Sequence, residues 1–271
     1  MKSLLSIAAS FWLACVAVHA QVDSTAKAKL SSMLAQYYDA LMLEPLEVKY
    51  SECDYLIESC KDSLVRQFVA TSILQHYMDP PLMGEESVAI YLYDKWFIKG
   101  DVQIADDWQA FEAELFYRYN KDSMIDSPAP VLDIKDRDGN EVRLPEYGSP
   151  CVIYFYDTSC AKCKLLTAEL PSVLENVHFP LTLYAVYSGS ERGQWVSFMS
   201  SFKTGNPRVR IVHLWDEDDT SNFQMKYAVS STPKVFFVDS DGIIRGRRLD
   251  AQSLQQIISI YNLYYVQGEK E

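Results

Sequence analysis

The chain has 271 residues, 48% of them hydrophobic, and a formal net charge of −12, with 37 Asp and Glu against 25 Lys and Arg. The apolar fraction excludes a largely disordered protein, and the acidic balance argues against nucleic acid as a partner, because phosphate binding needs clustered cations. The length favours two domains, each with its own core.

The N-terminus has the pattern of a cleaved secretory signal. An apolar stretch runs from Leu4 to Val18 and ends in the small-residue step Val18-His19-Ala20. We predict a signal peptide over residues 1–20 and a mature protein in the periplasm or secreted. Cys15 offers an alternative, a lipid anchor, although Trp12 is bulky where lipobox patterns prefer an aliphatic residue.

Residues 21–122 form the first predicted domain, in which apolar residues recur at spacings of three and four. This periodicity is typical of helices. Turn signals fall at Glu44-Pro45, Asp79-Pro80-Pro81 and Gly100-Asp101. They predict four or five helices joined by short turns.

Cys53 and Cys60 lie seven residues apart in this helical half. On one uninterrupted helix their Cα atoms would be roughly 10 Å apart, beyond the roughly 7 Å limit for a disulfide. We interpret them as buried thiols. A disulfide between them remains an alternative only if the helix breaks between the two residues.

A change in composition to Ser, Asp and Pro marks residues 123–130 as a predicted linker, followed by a second domain over 131–271. Asp138-Gly139-Asn140 is a turn signal between short strands at 131–134 and 141–144, which predicts a β-hairpin. Next comes an unbroken β-prone run from Cys151 to Tyr156. We expect a central strand buried on both faces, with Cys151 in the core.

The rest of the second domain alternates between helix and strand. Helices are predicted at 164–177 and 191–202, strands at 181–186 and 209–214, a strand pair at 235–238 and 243–247, and a closing helix from Ala251 to about Tyr261. The alternation predicts parallel βαβ units, and the strand pair predicts a terminal hairpin capped by a helix.

The motif Cys160-Ala161-Lys162-Cys163 lies between the central strand and a helix. At the first turn of a helix, the first sulfur lies at the positive end of the helix dipole, where free N–H groups favour a thiolate, the reacting species. The second sulfur is near enough to resolve a mixed disulfide. We therefore predict that Cys160 is a nucleophile and Cys163 its resolving thiol.

Two other interpretations of the pair stay open: a structural disulfide and half of a zinc site. Zinc needs two further ligands at suitable spacing. The histidines of the mature chain, His76, His178 and His213, are scattered in the sequence. We therefore predict no metal.

Together with Ser231-Thr232-Pro233, the elements of the second half resemble a thioredoxin fold. The particular version resembles the periplasmic thiol-disulfide reductases. The segment from Pro128 to Asp133 resembles the start of the N-terminal hairpin that these reductases add to the fold. The helical half, with segments 76–80 and 83–86, resembles an uncharacterised helical domain that precedes thioredoxin domains in secreted proteins of Bacteroidetes. The resemblance implies an α/β thioredoxin-like C-terminal domain preceded by an all-α helical domain.

The resemblance also implies a site and a reaction. The peptide bond before Pro233 is expected to be cis, and the backbone of Thr232 is expected to pair with an extended substrate segment. The implied reaction is dithiol-disulfide exchange with disulfide-bonded client proteins, with no cofactor. A thiol donor outside the cytoplasm, such as a membrane protein, would restore the reduced state.

Three positions depart from the family pattern. Ser159 stands where Trp is usual, Lys162 where Pro is common, and Tyr154 where thioredoxins have a buried acid. Lys162 and Asp157 are candidates for tuning the pKa of the cysteine pair. These departures leave the direction of electron flow open.

A second hypothesis belongs to a different functional class. The chain could be a redox-inactive binding or scaffold protein in which the helical domain recognises a partner. The intact cysteine pair argues against it.

Overall fold

The computed structural model describes residues 24–268. The signal peptide predicted over 1–20 and the alternative at Cys15 lie outside these residues. The chain divides into two compact units between Lys121 and Asp122. No helix of the described part is both long and apolar enough to span a bilayer.

The first unit is helical, as predicted. Its elements are α1 (Ser24–Leu41), α2 (Leu46–Ser59), α3 (Ser63–Met78), α4 (Glu86–Leu92), a π-helical turn (Tyr93–Phe97) and α5 (Asp107–Asn120). All five α-helices contribute buried apolar side chains to one core. One break was not predicted: Asp62 begins α3 by accepting hydrogen bonds from the backbone N–H groups of Leu64 and Val65, which is the ordinary role of an N-cap aspartate.

Asp54 on α2 ties this helix to the π-helical turn. Its carboxylate accepts hydrogen bonds from the Lys95 ammonium at 2.7 Å, from the Trp96 indole N–H at 2.8 Å and from the Tyr91 hydroxyl. Cys53 next to it and Cys60 are both buried. Burial raises the pKa of the Cys53 thiol, so this residue stays protonated, in agreement with the interpretation of the two cysteines as buried thiols.

A buried ion pair lies in the core of the first unit. The Lys49 ammonium donates a hydrogen bond to the Glu85 carboxylate and another to the Met42 carbonyl oxygen at 3.0 Å. The two charged side chains are only 3% and 7% exposed. Each charge therefore depends on the other for compensation, since neither can be hydrated.

The second unit contains one seven-stranded sheet with helices. Its elements are β1 (Leu132–Asp136), β2 (Glu141–Leu144), β3 (Cys151–Tyr156), α6 (Ala161–Glu175), β4 (Leu181–Tyr187), α7 (Arg192–Ser201), β5 (Val209–Trp215), α8 (Phe223–Lys226), β6 (Lys234–Val238), β7 (Ile244–Arg247) and α9 (Ala251–Gly268). The strand order is β2-β1-β5-β4-β3-β6-β7. β3 pairs in parallel with β4 and antiparallel with β6.

Alternate residues of β3 face opposite sides of the sheet. Val152, Tyr154 and Tyr156 belong to a core that includes side chains of α6, α7 and α9. Ile153 and Phe155 belong to a second core with side chains of β1, β2 and α8. All six residues of β3 are buried, which confirms the predicted central strand.

The elements differ from the prediction in three places. α6 begins at Ala161 and not at Lys164, so the cysteine pair itself starts the helix. α9 continues seven residues beyond Tyr261. α8 was not predicted, because four residues are too few to show helical periodicity.

The segment predicted as a linker, 123–130, is attached to the terminal hairpin by backbone hydrogen bonds. The N–H of Asp126 donates to the Ile244 carbonyl at 2.9 Å, and the N–H of Ala129 donates to the Gly242 carbonyl at 2.8 Å. This segment therefore belongs to the second unit.

The buried ion pair gives a stability prediction. Lys49→Met leaves the Glu85 carboxylate buried without its partner, so we expect the free energy of unfolding to fall by about 3–5 kcal/mol. Urea unfolding followed by circular dichroism measures it. The double variant Lys49→Met with Glu85→Leu is the control and should recover most of the loss. An unchanged free energy of unfolding for Lys49→Met would show that the ion pair does not contribute to stability.

Candidate functional site

The cysteine pair lies at the carboxyl end of β3, where a short turn leads into α6. Cys160 is the N-cap of α6, and its sulfur accepts a hydrogen bond from the backbone N–H of Cys163 at 3.2 Å. The Cys160 carbonyl accepts the N–H of Lys164 at 3.1 Å, which begins the helical hydrogen bonds. The structure therefore places the first sulfur among the free amides of a helix N-terminus, where negative charge is stabilised.

The turn before the pair is fixed by Asp157. One oxygen of its carboxylate accepts hydrogen bonds from both the backbone N–H and the hydroxyl of Ser159, each at 2.6 Å. The Asp157 carbonyl accepts the N–H of Cys160 at 3.3 Å. Ser159, which replaces the usual Trp, therefore shapes the turn, while the side chain of Lys162 is exposed.

The two thiols differ in burial and in acidity. Cys160 is partly buried, which opposes its ionisation, but hydrogen bonds from the thiol and the backbone N–H of Cys163 outweigh burial and lower the pKa of Cys160. Cys163 is only 1% exposed. Its burial raises the pKa of the Cys163 thiol to about 11, in spite of a hydrogen bond from the Asp157 amide that favours the thiolate. Cys160 is therefore the thiol that ionises first.

Thr232 and Pro233 lie beside this pair. The peptide bond between them is cis, as the resemblance implied. The Thr232 carbonyl accepts a hydrogen bond from the Cys160 thiol at 3.3 Å. Since β6 begins at Lys234 and pairs with β3, the sheet itself brings this loop to the cysteines.

Tyr154 occupies the position of the acid that thioredoxins bury near the pair. Its hydroxyl donates to the Cys163 carbonyl at 3.1 Å and forms a hydrogen bond with the Thr167 hydroxyl at 2.9 Å. Burial raises the pKa of the Tyr154 hydroxyl, so it stays protonated. It can position Cys163 but cannot take up its proton near neutral pH.

Thr167 was not predicted from the sequence as part of the site. It lies one helical turn after Cys163, on α6. This spacing gives two residues the same helix face, and the buried strand beneath that face supplies Tyr154. The spacing of Thr167 from Cys163 is visible in the sequence. Its contact with Tyr154 can be recognised only when the register of α6 against β3 is known.

Cys151 and the histidines lie apart from the pair. Cys151 is buried at the start of β3, where burial raises the pKa of its thiol to about 12. His76 stacks on Tyr38 in the first unit, and His213 lies in β5. Within residues 24–268 no group of three or more His, Cys, Asp or Glu side chains is arranged to hold a metal ion.

Comparison with known proteins agrees with this fold. Residues 138–260 match the family described as a thioredoxin-like domain. A thioredoxin-like protein from Bacteroides caccae has a similar structure, with a TM-score of 0.66 at 13% identity, over 84% of this chain and 82% of that chain. That share exceeds the second unit, so the similarity extends into the helical unit.

A second solved structure, the thioredoxin domain of a thiol-disulfide oxidoreductase from Bacteroides vulgatus, has a TM-score of 0.45 at 21% identity, over 51% of this chain and 96% of that chain. No curated protein matches the sequence. The family match over residues 138–260 and the elements of the first unit show a helical unit followed by a thioredoxin-like domain, as the sequence resemblance implied.

The difference between the two thiols predicts selective alkylation. With reduced protein at neutral pH, iodoacetamide should modify Cys160 well before Cys163, because the thiolate reacts and only the pKa of Cys160 is lowered. The rate should fall as the pH falls through that lowered pKa. Peptide mass spectrometry measures both sites, and Cys160→Ser should lack the fast reaction. Faster modification of Cys163 would contradict the assignment.

The hydroxyl of Tyr154 gives a second prediction. Tyr154→Phe removes hydrogen bonds to Cys163 and Thr167, so we expect the free energy of unfolding to fall by about 1 kcal/mol. The pH at which Cys163 ionises should stay the same, because the tyrosine does not exchange a proton there. Alkylation of the Cys160→Ser variant, with and without Tyr154→Phe, measures that titration. A shift of that titration would contradict a role for Tyr154 that is limited to positioning Cys163.

Proposed function

We propose that the protein is a thiol-disulfide oxidoreductase that acts outside the cytoplasm by dithiol-disulfide exchange with disulfide-bonded client proteins. One observation carries the proposal. The Cys160 sulfur caps α6, accepts the Cys163 amide at 3.2 Å and lies against the Thr232 carbonyl at 3.3 Å. A thiol of lowered pKa, a second thiol one turn away and a backbone edge are the parts that such exchange needs.

The reaction moves one pair of electrons from the protein to the client. The Cys160 thiolate attacks one sulfur of the client disulfide, forms a mixed disulfide and releases the other client sulfur as a thiolate. Cys163 then loses its proton and attacks the Cys160 sulfur. The Cys160–Cys163 disulfide forms, the second client sulfur leaves as a thiolate, and both client thiolates take up protons.

The backbone of Thr232 orients the client in this proposal. An extended client segment lies along the loop before β6 as an added strand, with its disulfide over Cys160. Pro233 fixes the turn that brings Thr232 to the sulfur. No cofactor is required, because every electron transfer is between sulfur atoms.

The direction of the cycle is reductive. A thiol donor outside the cytoplasm, such as a membrane protein, returns Cys160 and Cys163 to the dithiol. The secretory signal predicted over 1–20 supports the location. Lys162 adds a nearby positive charge, although solvent screens an exposed lysine, and Asp157 acts by holding the turn and by directing its amide toward Cys163.

The proposal is tested with two cysteine variants. Wild-type protein with dithiothreitol should accelerate insulin reduction, and Cys160→Ser should abolish the acceleration, because the attacking sulfur is gone. Cys163→Ser should accumulate clients as mixed disulfides on Cys160, which mass spectrometry of the protein isolated from cell envelopes identifies.

The outcomes also separate this function from a redox-inactive scaffold. Cys151→Ser is the matched control, because it removes a buried thiol that lies apart from the pair, and it should retain turnover. Equal insulin reduction by the wild type and Cys160→Ser, together with an empty trap in Cys163→Ser, would contradict the enzymatic proposal and favour the scaffold.

A further inference from the structure

A groove of about 510 Å³ lies between α6 and α7 and borders the cysteine pair. Cys163 contributes to its lining, as do Asp157 and Thr158 of the turn that precedes the pair. Its volume is within the range of roughly 300–1,000 Å³ that ligand pockets occupy. A group bound in this groove would therefore lie next to Cys163, the buried residue of the pair.

Apolar surface dominates the inside of the groove. Tyr156 of β3 and Phe198 of α7 both line it, and their rings stack with centroids 4.0 Å apart. Ala168 adds a methyl group from α6. Tyr156 is only 1% exposed, so it supports the partly buried Phe198 ring from beneath, and a second apolar group gains free energy by leaving water against that ring.

The charge of the groove is balanced, although the chain as a whole has a net charge of −12. Asp157 and Lys164 are the charged residues of the lining and have opposite signs, and the polar remainder is neutral: Thr158, Thr167, Gln194, Ser197 and Ser201. Because these two charges cancel, the groove has no net charge that would favour an ionic occupant over a neutral one. The lining therefore suits an uncharged occupant.

Two features keep the groove formed and open. The Thr158 hydroxyl donates a hydrogen bond to the Gln194 side-chain oxygen, which ties the turn before the cysteines to α7. Gly193, also in the lining, has no side chain, and a Cβ added there would meet no atom within 4 Å. A residue with a large side chain at position 193 would extend into free space at the groove.

The strand order places the groove and the Thr232 loop on opposite sides of β3. β4 and β6 lie on opposite sides of β3 in the sheet. The Thr232 loop leads into β6, whereas α7 follows β4. Cys160 follows β3 and therefore lies between the Thr232 loop and the helix that lines the groove.

We propose that this groove is a specificity subsite that receives an uncharged, apolar side chain of the client, of leucine or phenylalanine type, close in sequence to the cysteine that Cys160 attacks. The inference rests on the proposed function and adds a substrate class to it. The client class is a polypeptide with an apolar residue beside its disulfide.

Two disulfide-linked peptides test the subsite. They differ only at the residues flanking the cysteine, which are Phe in one peptide and Asp in the other. Wild-type protein should reduce the Phe peptide with a kcat/KM roughly tenfold higher or more, the scale on which apolar pockets discriminate. Gly193→Trp and, separately, Ser197→Trp fill the groove and should remove most of this preference by raising KM for the Phe peptide.

Val196→Trp is the matched control. Val196 lies on the same helix, is 50% exposed and is outside the lining, so this variant should keep the wild-type preference. Circular dichroism verifies that each variant is folded. Two filling variants are made so that the test stands even when one of them does not fold. Equal kcat/KM for the two peptides in the wild type, or a preference that survives in a folded filling variant, overturns the subsite.

Failure of the subsite is distinguishable from failure of the function. Reduction of a small disulfide, dithionitrobenzoate, by the wild-type dithiol needs the chemistry of Cys160 but no client side chain. If the wild type reduces this reagent and shows no preference between the peptides, the subsite alone is wrong. If it reduces neither the reagent nor the peptides, the proposed function is wrong and the subsite falls with it.

Discussion

The hydrogen bond from the Cys163 amide to the Cys160 sulfur is the contact on which the proposed chemistry depends. It exists because α6 begins at the cysteine pair, so the first turn of the helix turns its free N–H groups toward the first sulfur. The same turn buries Cys163 beneath the helix. One local geometry therefore favours the thiolate on Cys160 and the thiol on Cys163, and this difference supports the proposal that Cys160 attacks and Cys163 resolves.

The sheet provides the frame for this helix start. β3 is buried along its whole length and ends next to the turn of Asp157 and Ser159. Its antiparallel neighbour β6 brings Thr232 to the sulfur, and its parallel neighbour β4 leads to α7 and the groove. Each part of the site thus comes from a different element, and the packing around β3 holds them together.

Much of the fold was predictable from local signals. The Asp138-Gly139-Asn140 turn, the apolar run of β3 and the helical spacing of the first half are short-range patterns, and the structure confirms the elements they predict. The cis bond before Pro233 followed from the family resemblance. Two features were not predictable in this way: the hydrogen bond between Tyr154 and Thr167 and the lining of the groove. Both depend on the register of α6 and α7 against the sheet, which no local sequence pattern contains.

The central claim is that Cys160 and Cys163 form a reversible disulfide. Equilibration of the purified protein in glutathione buffers of graded redox potential, followed by acid quenching, alkylation and peptide mass spectrometry, measures it directly. The account predicts one cooperative two-electron transition in which the two cysteines are oxidised together into one bridge while Cys151 stays reduced. Cysteines that stay reduced across the series, or that pair with other partners, would contradict it.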